Sequence, residues 1–206
     1  METKIAEKLP RQKKQDHILA VATKLFLKVG YGAVSMDFLA KTAKVSKPTL
    51  YTKYKSKEDL FMAVVKNYRE KQNVIYPIIR RDKFTNQKEL LQDYFTQCAQ
   101  YFLTDAVVDL VRLVIAELPH FPVLYDLYFQ DNRVQLTKIL ENYFKEENDN
   151  NKLNIPNPKV AAMQIIGMIR EQTMWIKLFK IKENLKIDKC DDIVSNVLEF
   201  SMQYLK

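Results

Sequence analysis

The sequence predicts an all-α fold. Only three glycines occur in 206 residues, so the chain has few of the residues that the many tight turns of a β protein require. Long stretches rich in Lys, Glu, Leu, Ile and Gln favour helices instead. The apolar fraction of 47% is enough for a buried core, and the length allows one domain or two small ones.

Cysteine usage bears on whether disulfides or metal sites are expected, and hydropathy bears on the cellular location. Cys98 and Cys190 lie far apart, without a CxxC pair or a histidine cluster, so we expect no disulfide framework, metal site or cofactor, and both cysteines should be buried. The first 17 residues lack the apolar centre of a signal peptide, and no apolar run approaches the roughly 18 residues of a membrane span. The cytoplasm is therefore the expected location.

The positive charge is concentrated in the first third of the chain. Residues 1–71 hold 16 Lys and Arg against 7 Asp and Glu, whereas the remainder holds 17 against 18. Such an excess could drive binding to a phosphate backbone through the release of counterions. A solubilising basic segment is the alternative interpretation.

Three helices are predicted before residue 55. Apolar residues recur at helical spacing from Gln12 to Val29, and Gly30 stands where a helix end requires a positive φ. Ser35 can cap a second helix through Ala43, and Ser46 can cap a third that runs to about Tyr54. Only Lys44 and Val45 separate the second and third helices, which is typical of a helix-turn-helix.

The capping box at residues 56–59 predicts the start of a fourth helix, which we expect to continue past Lys71 towards Pro77 as a rigid connector. Further helices are predicted near 87–103, 106–118 and 122–147. Asn157 can cap another, with Pro158 at its first position, that runs to about Ile181. A terminal helix should begin at Asp188 or Asp191.

The third helix has a surface suited to DNA. In a helix-turn-helix the second helix lies in the major groove, with its N-terminal residues against base edges. Its predicted exposed residues are short or basic: Lys47, Pro48, Thr49, Thr52 and Lys53. A lysine can donate to guanine or phosphate, and threonine or proline can contact thymine methyl groups. A charged, solvated helix face is the alternative interpretation.

The stretch LFLKVGYGAVSMDFLAKTAKVSKPTLYTKYKSKEDLF, Leu25 to Phe61, resembles the N-terminal DNA-binding domain of the TetR/AcrR family of bacterial transcriptional regulators. The matching residues follow the family order without gaps, and they include Gly30-Tyr31, Ser35-Met36 and Ser56-Lys57-Glu58. The segment VRLVIAELPHFPVLYDLYFQ, 111–130, looks like one that is common in AcrR-like C-terminal domains. The resemblance therefore covers both halves of the chain, although more loosely in the second.

The resemblance implies a role for seven residues. Three of them should face bases: Lys47, Pro48 and Thr49. Four should approach the DNA backbone: Ser35, Tyr51, Lys53 and Lys57. A buried core ring is the alternative for Tyr51. Lys44, Pro48 and Lys53 depart from the usual family residues, which are glycine, glycine and histidine, so the preferred base sequence stays open.

The expected domains are 1–56 for DNA binding, with a basic tail at 1–11, and 57–206 for ligand sensing and dimerisation, with helix 57–76 as the connector. The resemblance implies a homodimer, and two heads one DNA turn apart could read a palindrome together. We expect apolar stripes on the last two helices to form the subunit interface, with the core of one chain as the alternative. The stripes comprise Ile165, Ile166, Ile169, Met174, Ile193, Val197, Leu198 and Met202.

The effector pocket implied by the resemblance should be lined by large or soft side chains of the middle helices. The candidates are Tyr94, Tyr101, Phe102, Leu113, Phe121, Tyr125, Met163, Gln164 and Trp175. Ordinary core packing is the alternative for each of them, because aromatic residues and methionine at helical spacing fill cores.

The predicted function is a ligand-responsive DNA-binding regulator, with repression as the usual mode of the family. It would bind a palindromic operator as a homodimer and be released by a small apolar or amphipathic effector. The alternative is a helical DNA-packaging or interaction protein without sequence preference. An enzyme is not expected, because two histidines and three scattered glycines supply neither a nucleophile with its base nor a phosphate-binding loop.

Overall fold

The computed structural model describes residues 11–71, 74–179 and 190–204. Within these residues the secondary structure is helical, as the composition predicted. The helices are α1 Arg11–Val29, α2 Met36–Thr42, α3 Lys47–Lys53, α4 Lys57–Lys71, α5 Gln87–Leu103, α6 Asp105–Glu117, α7 Val123–Asp149, α8 Pro158–Leu178 and α9 Cys190–Tyr204. None of these described helices is long and apolar enough to cross a membrane.

The contacts divide the chain into two compact units. The first unit comprises residues 1–73 and 109–128, and the second comprises 74–108 and 129–206. The domain boundary expected at residue 56 stays a prediction. Helix α4 packs along α1, so its apolar face completes the core of the first unit. Residues 109–117 of α6 and the start of α7 belong to that unit as well.

The core of the first unit is an aromatic cluster. Phe26 of α1, Tyr31 of the following loop and Phe61 of α4 are all buried, and their ring centroids lie 5.3 to 5.6 Å apart. Phe121, between α6 and α7, adds a fourth ring 4.9 Å from Tyr31. Because these rings come from three parts of the chain, they hold the α1–α2 loop in a defined position.

In the second unit α5 is the central helix and packs against both α8 and α9. Tyr94 of α5 is fully buried, and its hydroxyl donates a hydrogen bond to the carbonyl of Leu136 at 2.7 Å. Both cysteines are buried, as predicted, and burial raises the pKa of the Cys98 thiol. Cys98 therefore serves as a core residue.

Two expectations about the helices were wrong. The described part of α4 runs to Lys71, and the chain from Val74 is not helical, so the helix does not reach Pro77. Most stripe residues expected at a subunit interface are buried within one chain because they pack against α5; these are Ile165, Ile166, Ile169, Met174, Val197 and Leu198. Ile193 and Met202 are partly exposed.

Some expectations fall on residues outside the described ranges. The basic tail is described only at Arg11, and the predicted helix start at Asp188 and the helix end near Ile181 lie in the undescribed stretch 180–189.

Candidate nucleic-acid interface

The two short helices after residue 35 form a helix-turn-helix whose helix starts are capped by serines. The Ser35 hydroxyl accepts from the N–H of Phe38 at 3.0 Å, and the Ser46 hydroxyl accepts from the N–H of Thr49 at 3.3 Å. Each serine thereby satisfies an N–H that has no partner within its own helix. The two helix starts are those predicted from the sequence.

The turn between α2 and α3 closes as a Schellman motif. The N–H of Val45 donates to the carbonyl of Ala40, and the N–H of Lys44 donates to that of Lys41. This geometry needs a left-handed residue, and Lys44 takes that position with φ of +53°. Lys44 is exposed there, so its ammonium group is directed into solvent near the start of α3.

The exposed face of α3 carries the residues that could contact DNA. Lys47 and Pro48 are exposed in the first turn, and the exposed fraction of Tyr51 is 47%, which excludes the buried alternative for this ring. Leu50 is fully buried and Tyr54 nearly so, as expected, and they anchor the opposite face of the helix. The helix therefore presents one polar face and one core face.

The other four predicted contact residues are already engaged within the protein. The Thr49 hydroxyl lies 2.7 Å from that of Ser46, and the ammonium of Lys53 donates to the Gln15 side chain of α1 at 3.3 Å. Lys57 is half-buried, with its ammonium 4.1 Å from the centre of the Tyr31 ring. Ser35 is exposed although its hydroxyl caps α2.

Lys57 belongs to a charged cluster around Tyr31. Burial lowers the pKa of Lys57, and the carboxylates of Glu117 and Glu58 partly oppose that shift. The Tyr31 hydroxyl donates to Glu58 at 3.1 Å, and burial together with this carboxylate raises the pKa of Tyr31. The pKa of Glu58 is lowered by its own backbone N–H, by the Ser56 hydroxyl and by Tyr31. Lys57 thus stabilises the loop between α1 and α2, and it also lies near the helix-turn-helix.

Sequence reasoning missed two residues that contact this motif. Asp37, in the first turn of α2, pairs with Lys47 across the two helices at 2.5 Å. His17 of α1 places its Nε2 atom 3.1 Å from the carbonyl of Ala43. The acidic residue at position 37 is visible in the sequence. Its pairing with a lysine ten residues away depends on how the two helices cross, which the sequence does not show.

Two family profiles match this chain. The profile described as bacterial regulatory proteins of the tetR family matches residues 18–64, and that of the C-terminal domain of AefR-like transcriptional repressors matches residues 89–204. The second match alone spans more than half of the chain. The chain belongs to the TetR family of bacterial transcriptional regulators. Its matched relatives and structural neighbours are regulators, so this TetR-family protein is not an enzyme.

Individual relatives agree with this assignment. The HTH-type transcriptional activator FasR of Mycolicibacterium smegmatis is 39% identical over 61 residues, which is 30% of this chain and only 28% of FasR. The HTH-type transcriptional regulator QacR of Staphylococcus aureus is 28% identical over 177 residues, covering 75% of this chain and 84% of QacR. The solved structure of the flavonoid-responsive regulator FrrA superposes with a TM-score of 0.78 at 26% identity, covering 93% of this chain and 96% of FrrA.

The proposed pocket residues of this TetR-family protein fall into different surroundings. In the second unit the rings of Tyr101 and Phe102 are buried and 5.7 Å apart, and Tyr94 is buried on the same helix, α5. Trp175 is half-buried and stacks on the exposed ring of Phe179 at 5.5 Å.

The remaining pocket candidates are less enclosed or belong to the first unit. Met163 and Gln164 are exposed on α8. Leu113, Phe121 and Tyr125 lie in the first unit, where Leu113 is buried, Phe121 packs on Tyr31 and Tyr125 is exposed. The nine residues therefore do not form one enclosed group within either unit.

Proposed function

We propose that this protein is a one-component repressor that binds a palindromic operator as a homodimer and leaves it when a small apolar or amphipathic effector binds. The observation that carries the proposal is the exposed face of α3, where Lys47, Pro48 and Tyr51 stand free of the core on a serine-capped helix-turn-helix. The net positive charge of residues 1–71 supports a polyanionic partner. The proposed place of action is the cytoplasm, where the bacterial chromosome lies.

The residues divide by the part of DNA that each could reach. Lys47, Pro48 and Thr49 belong to the first turn of α3, which enters the major groove in this motif, so we assign them to base edges. Tyr51, Lys53, Ser35 and Lys57 are assigned to the phosphate backbone. Lys53 and Lys57 would have to exchange part of their present contacts for phosphate, which makes their contribution smaller than that of Tyr51.

A homodimer is supported by an apolar surface on the last two helices. Val160 and Met163 of α8 and Phe200 of α9 are all more than 40% exposed in a single chain. Among the described residues, apart from the neighbouring residues and the nearby backbone of α8 itself, no atom lies within 4 Å of the position that a Cβ atom would take at Gly167, so a second helix could approach α8 closely there. These exposed residues replace the buried stripe residues as the proposed interface.

The interface can be tested by the mass of the particle in solution. Analytical ultracentrifugation should give a dimer for the wild type and a monomer for the Met163→Glu/Phe200→Glu variant, because buried glutamates without partners oppose association. Gln92→Glu, at an exposed position on α5, adds a charge elsewhere and should stay dimeric. A dimeric double variant would place the interface elsewhere.

An effector and a repressing role are supported by the relatives rather than by a pocket. One matched profile describes AefR-like repressors, and FrrA is described as flavonoid-responsive, whereas FasR is described as an activator. The buried aromatic residues Tyr94, Tyr101 and Phe102 are the proposed apolar contacts of an effector in the second unit. Effector binding that releases DNA should also alter Trp175 fluorescence; release with this signal unchanged would remove Trp175 from the pocket.

Selection of random duplexes with the purified protein tests the DNA-binding proposal directly. We expect enrichment of a palindrome whose half-sites lie one helical turn, about 34 Å, apart. The competing function, DNA packaging without sequence preference, predicts that no motif is enriched and that bulk DNA competes as well as any selected duplex. That outcome would refute the operator-binding proposal.

A further inference from the structure

The Asp37–Lys47 ion pair lies on the open surface of the helix-turn-helix. The Asp37 carboxylate is in the first turn of α2 and the Lys47 ammonium belongs to the first residue of α3, with 2.5 Å between Oδ2 and Nζ. The exposed fractions of the two side chains are 59% and 60%. The pair therefore connects the starts of both helices, at the residue that we assign to base edges.

Folding stability does not account for this pair. Exposed ion pairs contribute little to stability because water screens them and ordering two side chains costs entropy. The start of α2 is already capped by Ser35, and Asp37 is an acid in a first turn that the helix dipole favours without any lysine. The position of the pair on the proposed DNA surface is the feature that needs an explanation.

Asp37 is also the single acidic residue in the stretch from Ser35 to Lys55, which contains five lysines. A carboxylate only accepts hydrogen bonds, and so do phosphate oxygens. An exposed acid at this place therefore opposes binding to the DNA backbone of any sequence. A surface adapted only for affinity would not carry it.

We propose that Asp37 is a specificity-determining residue that makes the contribution of Lys47 conditional on the base pair it meets. At a G·C pair the major groove offers guanine O6 and N7 as acceptors for Lys47 and cytosine N4–H as a donor for Asp37, so both members of the pair find new partners. At a phosphate only Lys47 finds a partner, and Asp37 is left facing negative charge. Lys47 therefore strengthens binding to the operator more than binding to unrelated DNA.

This inference rests on the proposed DNA-binding function, and the experiment separates the two. Fluorescence anisotropy of the full-length protein is measured with the selected palindrome and with a scrambled duplex of equal length, between about 50 and 200 mM salt. If the wild type binds both duplexes equally, the proposed function fails. If it prefers the palindrome, the variants then test Asp37.

Asp37→Asn retains the shape of the side chain and removes its charge. We expect it to increase affinity for the scrambled duplex about fivefold at physiological salt, the effect of one additional phosphate contact, and to steepen the logarithmic salt dependence there by about 0.9. Affinity for the palindrome should change less than twofold, so the preference for the palindrome falls. Asp37→Ser is a second neutral variant and should behave alike.

Two controls distinguish a specific role from a change of net charge. Glu70→Gln removes the same charge from an exposed position in the last turn of α4 and should leave the preference unchanged. In the Lys47→Ala background, Asp37→Asn should no longer alter the preference. Equal gains on both duplexes, a persistent effect without Lys47, or the same effect from Glu70→Gln would each overturn the proposal.

Discussion

The carboxylate of Glu117 accepts a hydrogen bond from the backbone N–H of Gly32 at 2.9 Å. Its other oxygen occupies the space beside Gly30, where a Cβ atom would lie only 2.1 Å from it. The last residue of α6 is thus fitted to the loop that leads into α2. Glycine at position 30, whose φ is +88°, permits both the backbone conformation and the close approach.

The effects of Gly30→Ala and Glu117→Ala on the free energy of unfolding should therefore be coupled. Gly30→Ala should destabilise the fold by about 1–2 kcal/mol through the left-handed backbone, with a further roughly 1 kcal/mol from the displaced Glu117. Glu117→Ala alone should cost about 1 kcal/mol. Because the displaced carboxylate can be lost only once, the double variant should cost less than the sum in urea unfolding.

Gly32→Ala is the matched comparison for this pair. Its φ is outside the left-handed region, although a Cβ atom would stand 3.0 Å from the Phe121 ring. We expect a smaller loss of stability than for Gly30→Ala. Strict additivity of Gly30→Ala and Glu117→Ala would show that the carboxylate does not move when residue 30 gains a side chain.

Glu58 should make stability depend on pH in the acid range. Its folded pKa lies below the ordinary value of 4.5, so its contribution is present in full above that value and is lost as the pH falls through the folded pKa. The free energy of unfolding should be lower in Glu58→Gln near pH 7, and the difference should disappear as the pH falls through the folded pKa of Glu58. Urea unfolding across this range measures it.

Tyr31→Phe provides an independent check on Glu58. Without the hydroxyl that donates to this carboxylate, the pKa of Glu58 should rise towards 4.5 while the shifts caused by its own N–H and by Ser56 persist. Carboxyl NMR titration would detect the change. An unchanged titration in Tyr31→Phe would contradict the assigned contact.

Lys44 should lower the stability of the fold and raise the affinity for DNA. Lys44→Gly relieves the left-handed backbone at φ of +53° and should stabilise the protein by about 0.5–1 kcal/mol. The same change should weaken DNA binding about fivefold at physiological salt if the lysine lies near a phosphate. Thermal unfolding and anisotropy measure the two effects.

Lys44→Ala separates the two effects of this position. It removes the charge but retains the strained backbone, so it should weaken DNA binding equally without any gain in stability. A stability gain in Lys44→Ala would show that the strain does not come from the left-handed conformation, and undiminished DNA affinity would place this lysine away from the phosphates.

Substitutions on α3 should separate base contacts from backbone contacts. Lys47→Ala and Thr49→Ala should weaken binding to the selected palindrome by about 1–3 kcal/mol each and have little effect on scrambled DNA. Tyr51→Phe and Lys53→Ala should weaken binding to both duplexes similarly. Equal losses on both duplexes for Lys47→Ala would move this residue from the bases to the backbone.

Thr49 requires an additional variant because its hydroxyl is bonded to Ser46. Thr49→Ser retains this hydrogen bond and removes only the methyl group, which is the part suited to a thymine. If Thr49→Ser weakens palindrome binding as much as Thr49→Ala, the methyl contact is responsible. If it binds like the wild type, the loss in Thr49→Ala comes from the hydroxyl.

The sequence by itself determined the helices and the family. Ser35, Ser46 and Asn157 marked helix starts that the structure confirms, because a cap is a hydrogen bond between residues two or three positions apart. Gly30 was likewise recognisable as a left-handed position from its place after a helix end. The ordered match from Leu25 to Phe61 then identified the DNA-binding head.

Only the tertiary structure decided which side chains meet across longer distances. The contact of Glu117 with Gly32 joins residues 85 positions apart, and the packing of Lys57 over Tyr31 and Phe121 needs three segments of chain at once. It also placed the stripe of α8 against α5 and left Met163 outside. Helical periodicity shows that a face is apolar, but which partner covers that face depends on packing between distant segments, which no local pattern encodes.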